Sequence, residues 1–422
     1  MRLRIRRKLL RQSNIRLFLA ILGPGLIAAA ADNDATGIYG YSLAGAAYKY
    51  EMLWVLVIVT FSLAVMQEIG ARMGAVTGKG LADLIREQYG VKITLFAMIT
   101  LLVANFSTTV AEFAGVEAAA EVFAPNTIRF IVVPLAALAV WLFVTRGSYR
   151  SVERPLIIGS AIYFAYVISA LLAHPRWGEV LHATIAPNFG VIHPLGAYIF
   201  MVINVVGTTI TPWGQFYIQS SVRDKGITTE DYGYERTDVF FGAFFTNFIA
   251  YFIIACCGAT LFMAGIHNVN DAGQAALALK PLAGGLATIL FAIGLLNASL
   301  FGAITVPLST AYAITEALGW ESGIGRRIKE APLFIGIFTF LIAASALIVM
   351  FLGKNLTLLI ILPNIIGGIL LPIILILTIR LVNNREIMGR YTNSRTYNLI
   401  AWITVVVLIL LSLVLLVTSF LP

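Results

Sequence analysis

Asp32 and Asp34 stand in the middle of a long apolar stretch, in the run Ala31-Asp32-Asn33-Asp34-Ala35-Thr36-Gly37. A carboxylate at the centre of a membrane span costs about 3 kcal/mol on insertion scales, so such a group calls for a function. A second run of small and helix-breaking residues, Gly207-Thr208-Thr209-Ile210-Thr211-Pro212-Trp213-Gly214, interrupts another apolar stretch. Unwinding a helix at such places frees backbone carbonyls, and carbonyl, hydroxyl and carboxylate oxygens together suit a hard cation. The candidate ligands are therefore Asp34, Thr211, Ala31, Gly37, Thr208 and Asp32. Spacing does not rank Asp32 against Asp34. The alternative is that both merely cap the helix that restarts at Thr36 and Gly37, a role compatible with cation binding.

The elements that must hold these residues are membrane helices. The 422 residues are 59% hydrophobic and 12% charged, whereas a soluble domain carries about 25% charged residues. Hydrocarbon offers no hydrogen-bond partners, so spanning segments are helices or closed barrels, and the apolar runs here have helix length. There are eleven, roughly 17–46, 52–71, 93–123, 128–145, 155–173, 194–221, 237–266, 281–317, 332–352, 356–380 and 397–420. The basic start runs on into the first span without a small-residue cleavage pattern, so that span is expected to stay. Cys256 and Cys257 are adjacent in an apolar run and frame neither a disulfide scaffold nor a spaced zinc site. All but Lys49, Arg129, Arg176, Lys280 and Lys354 of the 29 basic residues fall at the N-terminus or in loops on its side, which puts the N-terminus in the cytoplasm. The same bias accounts for the net charge of +8 and leaves no basic soluble domain for nucleic acid.

The first and sixth spans are both broken at their middles, five spans apart. Discontinuous helices at corresponding places point to an inverted five-plus-five repeat with a site between the breaks. The expected organisation is a basic cytoplasmic tail (1–16) and one transmembrane domain (17–422). Within it lie repeat one (about 17–173), repeat two (about 194–380) and an accessory helix (about 397–420).

Gly23-Pro24-Gly25, then eight residues, then Asp34 resembles the first helix of the Nramp family of divalent-metal transporters, where Gly-Pro-Gly leads to a broken-helix Asp-Pro-Gly-Asn. Ala71-Arg72-Met73-Gly74-Ala75-Val76-Thr77-Gly78-Lys79-Gly80 looks like the family's second-helix exit, and Ala111-Glu112-Phe113-Ala114-Gly115 is similar to its third-helix Ala-Glu-x-x-Gly. The resemblance covers roughly residues 17–380 and implies an all-α, LeuT-like inverted repeat of eleven membrane helices, with helices 1 and 6 broken at the midplane and the eleventh an extra C-terminal helix. It also implies divalent-metal transport by alternating access.

The departures carry a finer expectation. Asp34-Ala35-Thr36-Gly37 keeps the family's acid and loses its asparagine, and Thr211-Pro212-Trp213 stands where the family has Met-Pro-His. Replacing a thioether by oxygen favours hard ions, above all magnesium, which dehydrates reluctantly. That is how the Nramp-related magnesium transporters look as a branch of the family, and magnesium, with manganese second, is the expected substrate. The family's third-helix aspartate falls on Thr109 and its sixth-helix histidine on Trp213, and span nine has no arginine. Of that proton relay Glu112 alone is left, so the expectation is uncoupled, voltage-driven uptake, for which a divalent ion gains about 4.6 kcal/mol at 100 mV. The alternative is a proton-coupled manganese or transition-metal transporter of the usual family type.

Asn364, eight residues before Pro372, is similar in position to a family glutamine that reaches the metal; Asn204 is a weaker candidate, and Trp213 and Glu112 are pathway candidates. Glu112 either lines an exit route or pairs with a cytoplasmic arginine, and Glu117 and Glu121 recur near helical spacing on the same segment. Glu68 and Arg72 are spaced for an ion pair. Asn297 and Ser299 are read as helix packing. His174, His182 and His267 fall in external loops and His193 at a helix start, away from the midplane. An organic-solute transporter on the same fold is the second function class, although Asp34 would repel a substrate carboxylate. A membrane enzyme is the third, and no H-E-x-x-H or G-x-S-x-G constellation is present. No cofactor is expected beyond the transported ion, the partners are that ion and the lipid bilayer of the cell membrane, and the expected state is a monomer.

Overall fold

A computed structural model of the chain describes residues 22–123, 129–187, 195–269, 272–352 and 357–420. The basic tail, His193 and Lys354 lie outside the described residues. The first span is two helices, α1 (Pro24–Ala31) and α2 (Ala35–Tyr48). α3 (Leu53–Thr77), α4 (Leu81–Glu121) and α5 (Arg129–Thr145) follow, then α6 (Tyr149–Ser160) and α7 (Phe164–Leu172), which together make the fifth span. α8 (Trp177–Ile185) is short. The sixth span is α9 (Leu195–Thr209) with α10 (Pro212–Lys225), and the seventh is α11 (Tyr232–Cys257), extended by a π-helical turn over Gly258–Phe262. The remainder are α12 (Ala272–Ala278), α13 (Lys280–Leu318), α14 (Pro332–Leu352), α15 (Thr357–Asn383), α16 (Arg385–Met388) and α17 (Arg395–Phe420).

Eight helical spans among the described residues are long and apolar enough to cross a membrane by themselves. The broken first span, α5 and α15 complete the eleven. The inversion is visible in the bends. α4 turns at Gly90 (φ 77°) soon after it leaves the basic face, and α13 turns at Gly284 (φ 87°) soon after it leaves the opposite face. These are the third spans of the two repeats, and only glycine adopts this backbone conformation without strain.

The loops also sort by face. On one face Lys49 and Arg176 both reach Glu179, at 2.6 and 3.0 Å, and the hydrogen bonds they donate hold its carboxyl below the usual range. On the other, Lys225 pairs with Glu153 at 2.6 Å and Arg223 with Glu316 at 3.0 Å. Glu68 and Arg72 form the expected pair at 3.1 Å, and Arg72 also donates to the carbonyls of Tyr391 and Thr392, which fastens α3 to the lead-in of α17. α17 itself is mostly turned outward, as an accessory helix should be.

α1 packs tightly on α11 because two glycines let the backbones touch: a Cβ on Gly242 would lie 2.7 Å from the Gly25 carbonyl. Asp238 of α11 then accepts from the N–H groups of Gly25 and Leu26, at 2.8 and 3.2 Å, satisfying donors that the first turn of a helix leaves without partners.

Candidate metal site

Both breaks are built by the same local device. At the first, Asp34 is the N-cap of α2 and its Oδ1 accepts from the N–H of Gly37 at 2.7 Å and from the Thr36 hydroxyl at 2.7 Å. At the second, Thr211 is the N-cap of α10 and its Oγ1 accepts from the N–H of Gly214 at 3.2 Å, with Pro212 at the first helical position. Proline there costs nothing to α10 but cannot donate back to the carbonyl of Thr208. The capping alternative is thus realised by Asp34, with its other oxygen left over for different work.

The breaks meet through Asp32. Its Oδ1 accepts from the Thr211 hydroxyl at 3.0 Å and its Oδ2 from Nε2 of Gln67 on α3 at 3.0 Å. Glu112 of α4 comes in from the side: its Oε2 accepts from the N–H of Ala35 at 3.1 Å, which sets its carboxyl beside the Asp34 break. In a continuous helix the Ala35 N–H would bond the carbonyl of Ala31, so this contact releases that carbonyl from the ladder. Asn33, between the two aspartates, is tied down by its side chain donating to the Thr246 carbonyl at 2.9 Å and by its own carbonyl accepting from Tyr163 at 3.2 Å.

Asp32, Asp34 and Glu112 are each at most 2% exposed, and among the described residues none forms an ion pair. Three buried carboxyl groups without a cationic side chain are costly unless protons or a cation offset their charge. Among the described residues no group of three or more His, Cys, Asp or Glu has the geometry to hold an ion by itself. The oxygens on offer are instead mixed: carboxylate, the Thr211 hydroxyl, and the carbonyls of Ala31 and Thr208. A mixed, partly backbone shell fits an ion that must be released as well as bound.

Residues 25–418 match the family model described as "Natural resistance-associated macrophage protein-like" (Nramp). The chain belongs to the Nramp family. It is 26% identical over 411 residues to the divalent metal cation transporter MntH of Erwinia tasmaniensis, covering 95% of each chain. It is 25% identical over 403 residues to MntH of Klebsiella pneumoniae subsp. pneumoniae, covering 93% of each. The solved structure of the Eremococcus coleocola manganese transporter, in complex with an aromatic bis-isothiourea substituted compound, superposes with a TM-score of 0.75 at 19% identity, covering 96% of this chain and 87% of that one. This likeness supports the fold, the LeuT-like inverted repeat. As an Nramp protein the chain is a multi-pass membrane transporter of divalent metal cations and not an enzyme.

The remaining candidates of this Nramp chain fall as follows. Gly37 contributes its N–H to Asp34. The Thr208 hydroxyl donates back to the carbonyls of Asn204 and Val205, at 2.8 and 3.2 Å, so its carbonyl is the oxygen the break makes available. Asn204 donates to the Gly40 carbonyl at 3.3 Å and thereby pins α9 to α2. Trp213 is buried, and its carbonyl accepts from Ser309 of α13 at 2.7 Å. Glu112 forms no pair with an arginine among the described residues and reaches the break itself, while Glu117 is the residue that approaches an arginine, Arg129 at 4.0 Å. The Ser299 hydroxyl bonds within its own helix, in keeping with a packing role. Asn364 lies on α15 with its side chain outside the described residues.

Sequence reasoning missed Gln67, Asn33 and Tyr163. For Gln67 a signal existed: an amide deep in a span, next to Glu68, needs a partner.

Proposed function

We propose that this Nramp protein carries manganese, together with protons, across the cell membrane by alternating access, with its N-terminus in the cytoplasm. The observation that carries the reading is the group of three buried carboxyls at the first break, without a cationic side chain. The ion would be held by Asp34, by Asp32 with Thr211, and by the carbonyls of Ala31 and Thr208, with Gly37 keeping Asp34 in place and Asn364 available from α15. A divalent metal cation is supported by the names of the relatives and manganese by that of the superposed transporter, and manganese accepts oxygen ligands. Proton movement is supported by the position of Glu112, buried at the Asp34 break through its bond to Ala35. Two neighbouring buried carboxyls do not both carry charge at low cost, so one keeps a proton, and an ion arriving at Asp34 would expel it. Such a pair needs no chain of titratable groups behind it, which removes the ground for expecting uncoupled uptake.

A second reading, magnesium uptake without protons, is favoured by one observation: the breaks present neither thioether nor imidazole. Flux into proteoliposomes at an inside-negative potential, with internal pH followed, separates the two. Manganese entry with acidification supports the first. Magnesium entry without acidification supports the second. Entry of neither ion in the wild type would overturn both.

A further inference from the structure

α4 and α13 diverge where α4 bends at Gly90, and between them lies a groove of about 180 Å³, far from the breaks and on the face of the basic loops. Its walls are apolar: Val91, Leu95 and Ile99 are 63%, 45% and 61% exposed on the outer surface, and Leu318 is 49% exposed. The polar atom that could wet it is spent, because the Thr94 hydroxyl donates to the Gly90 carbonyl at 2.9 Å. At its mouth Arg86 reaches from α4 to α13, where Nη1 donates to the Ala317 carbonyl at 3.3 Å. The nearest carboxylate, Asp83, stands off at 3.9 Å and is shared with Arg223, while Glu87 is occupied by Lys79 at 2.7 Å. Arg86 is one-third exposed, so part of its guanidinium faces outward.

We propose that this groove is a binding site for an anionic phospholipid of the leaflet on the basic face, with one acyl chain lying between α4 and α13 and the headgroup phosphate on Arg86. The complementarity is of two kinds in one place. An apolar slot at membrane depth admits a chain, and an arginine at the interface, whose flat fork suits phosphate oxygens, admits the headgroup. Lys92, two residues beyond the Gly90 bend and next in the chain to the lining residue Val91, is also exposed. A zwitterionic lipid would fill the slot without gaining the contact to Arg86.

The test is native mass spectrometry of the detergent-solubilised full chain with phosphatidylglycerol or phosphatidylcholine. Wild type should retain phosphatidylglycerol in preference. Arg86→Gln should lower that retention about fivefold, the size of one basic contact at an anionic surface, and Arg86→Lys should keep most of it. Leu95→Trp, which fills the slot from an outward-facing position, should lower retention of both lipids. Equal retention of the two lipids by wild type would overturn the proposal, as would unchanged retention in Arg86→Gln or in Leu95→Trp. The Arg86→Lys protein, which keeps the charge, distinguishes loss of a contact from loss of the fold.

Discussion

The two breaks share a backbone design and differ in charge. Each restarts its helix from an N-cap oxygen that accepts from a glycine N–H three residues on, Asp34 to Gly37 and Thr211 to Gly214. The first break concentrates Asp32, Asp34 and, from α4, Glu112, whereas the second offers a hydroxyl, a proline and released carbonyls. Capping alone would be served by threonine at both. Keeping carboxylates at one break, where they are most expensive, separates the work in the proposed site: the acidic break would answer to charge, and the neutral break would complete the shell around the ion. Asp32 joins the two, so a change on either side is felt through one hydrogen bond.

The comparison can be broken most severely at the acidic break. Asp34→Asn keeps an oxygen for the cap and removes the charge, and metal flux into proteoliposomes should fall about a hundredfold, the scale of removing one partner of a buried charge interaction. Next is Glu112→Gln, whose amide oxygen still accepts from Ala35: metal should still bind, by calorimetry, but entry of metal should no longer acidify the vesicle interior. Thr211→Val removes a cap and the hydrogen bond to Asp32, and affinity for the ion should drop about tenfold. The smallest effect is expected for Gln67→Leu, which leaves Asp32 its bond to Thr211 and should weaken ion binding about fivefold. Had the neutral break been the seat of binding, Thr211→Val would outweigh Asp34→Asn, and the order of these variants would invert.

What the sequence makes legible here is what is local. Gly23-Pro24-Gly25 with Asp34 after eight intervening residues, Pro212 after Thr211, and Glu68 one turn before Arg72 each carry their geometry in their spacing, and each is found in place. The contacts between distant segments are not legible in that way. Gln67 reaches back 35 residues to Asp32, Asn33 forward 213 residues to Thr246, and Glu112 back 77 residues to Ala35. Helical periodicity places Glu112 on a face but does not say which helix lies against that face. This is why its contact with the Asp34 break, and with it the case for a proton, comes from the packing of α4 on the first span.

The central claim, that the acidic break exchanges a proton for the metal, is tested most directly by adding manganese to the purified protein in weakly buffered solution and recording pH as the ion binds. Proton release in the wild type, lost in Glu112→Gln while binding persists, is the predicted result. Stoichiometric manganese binding with no proton released by the wild type would contradict it.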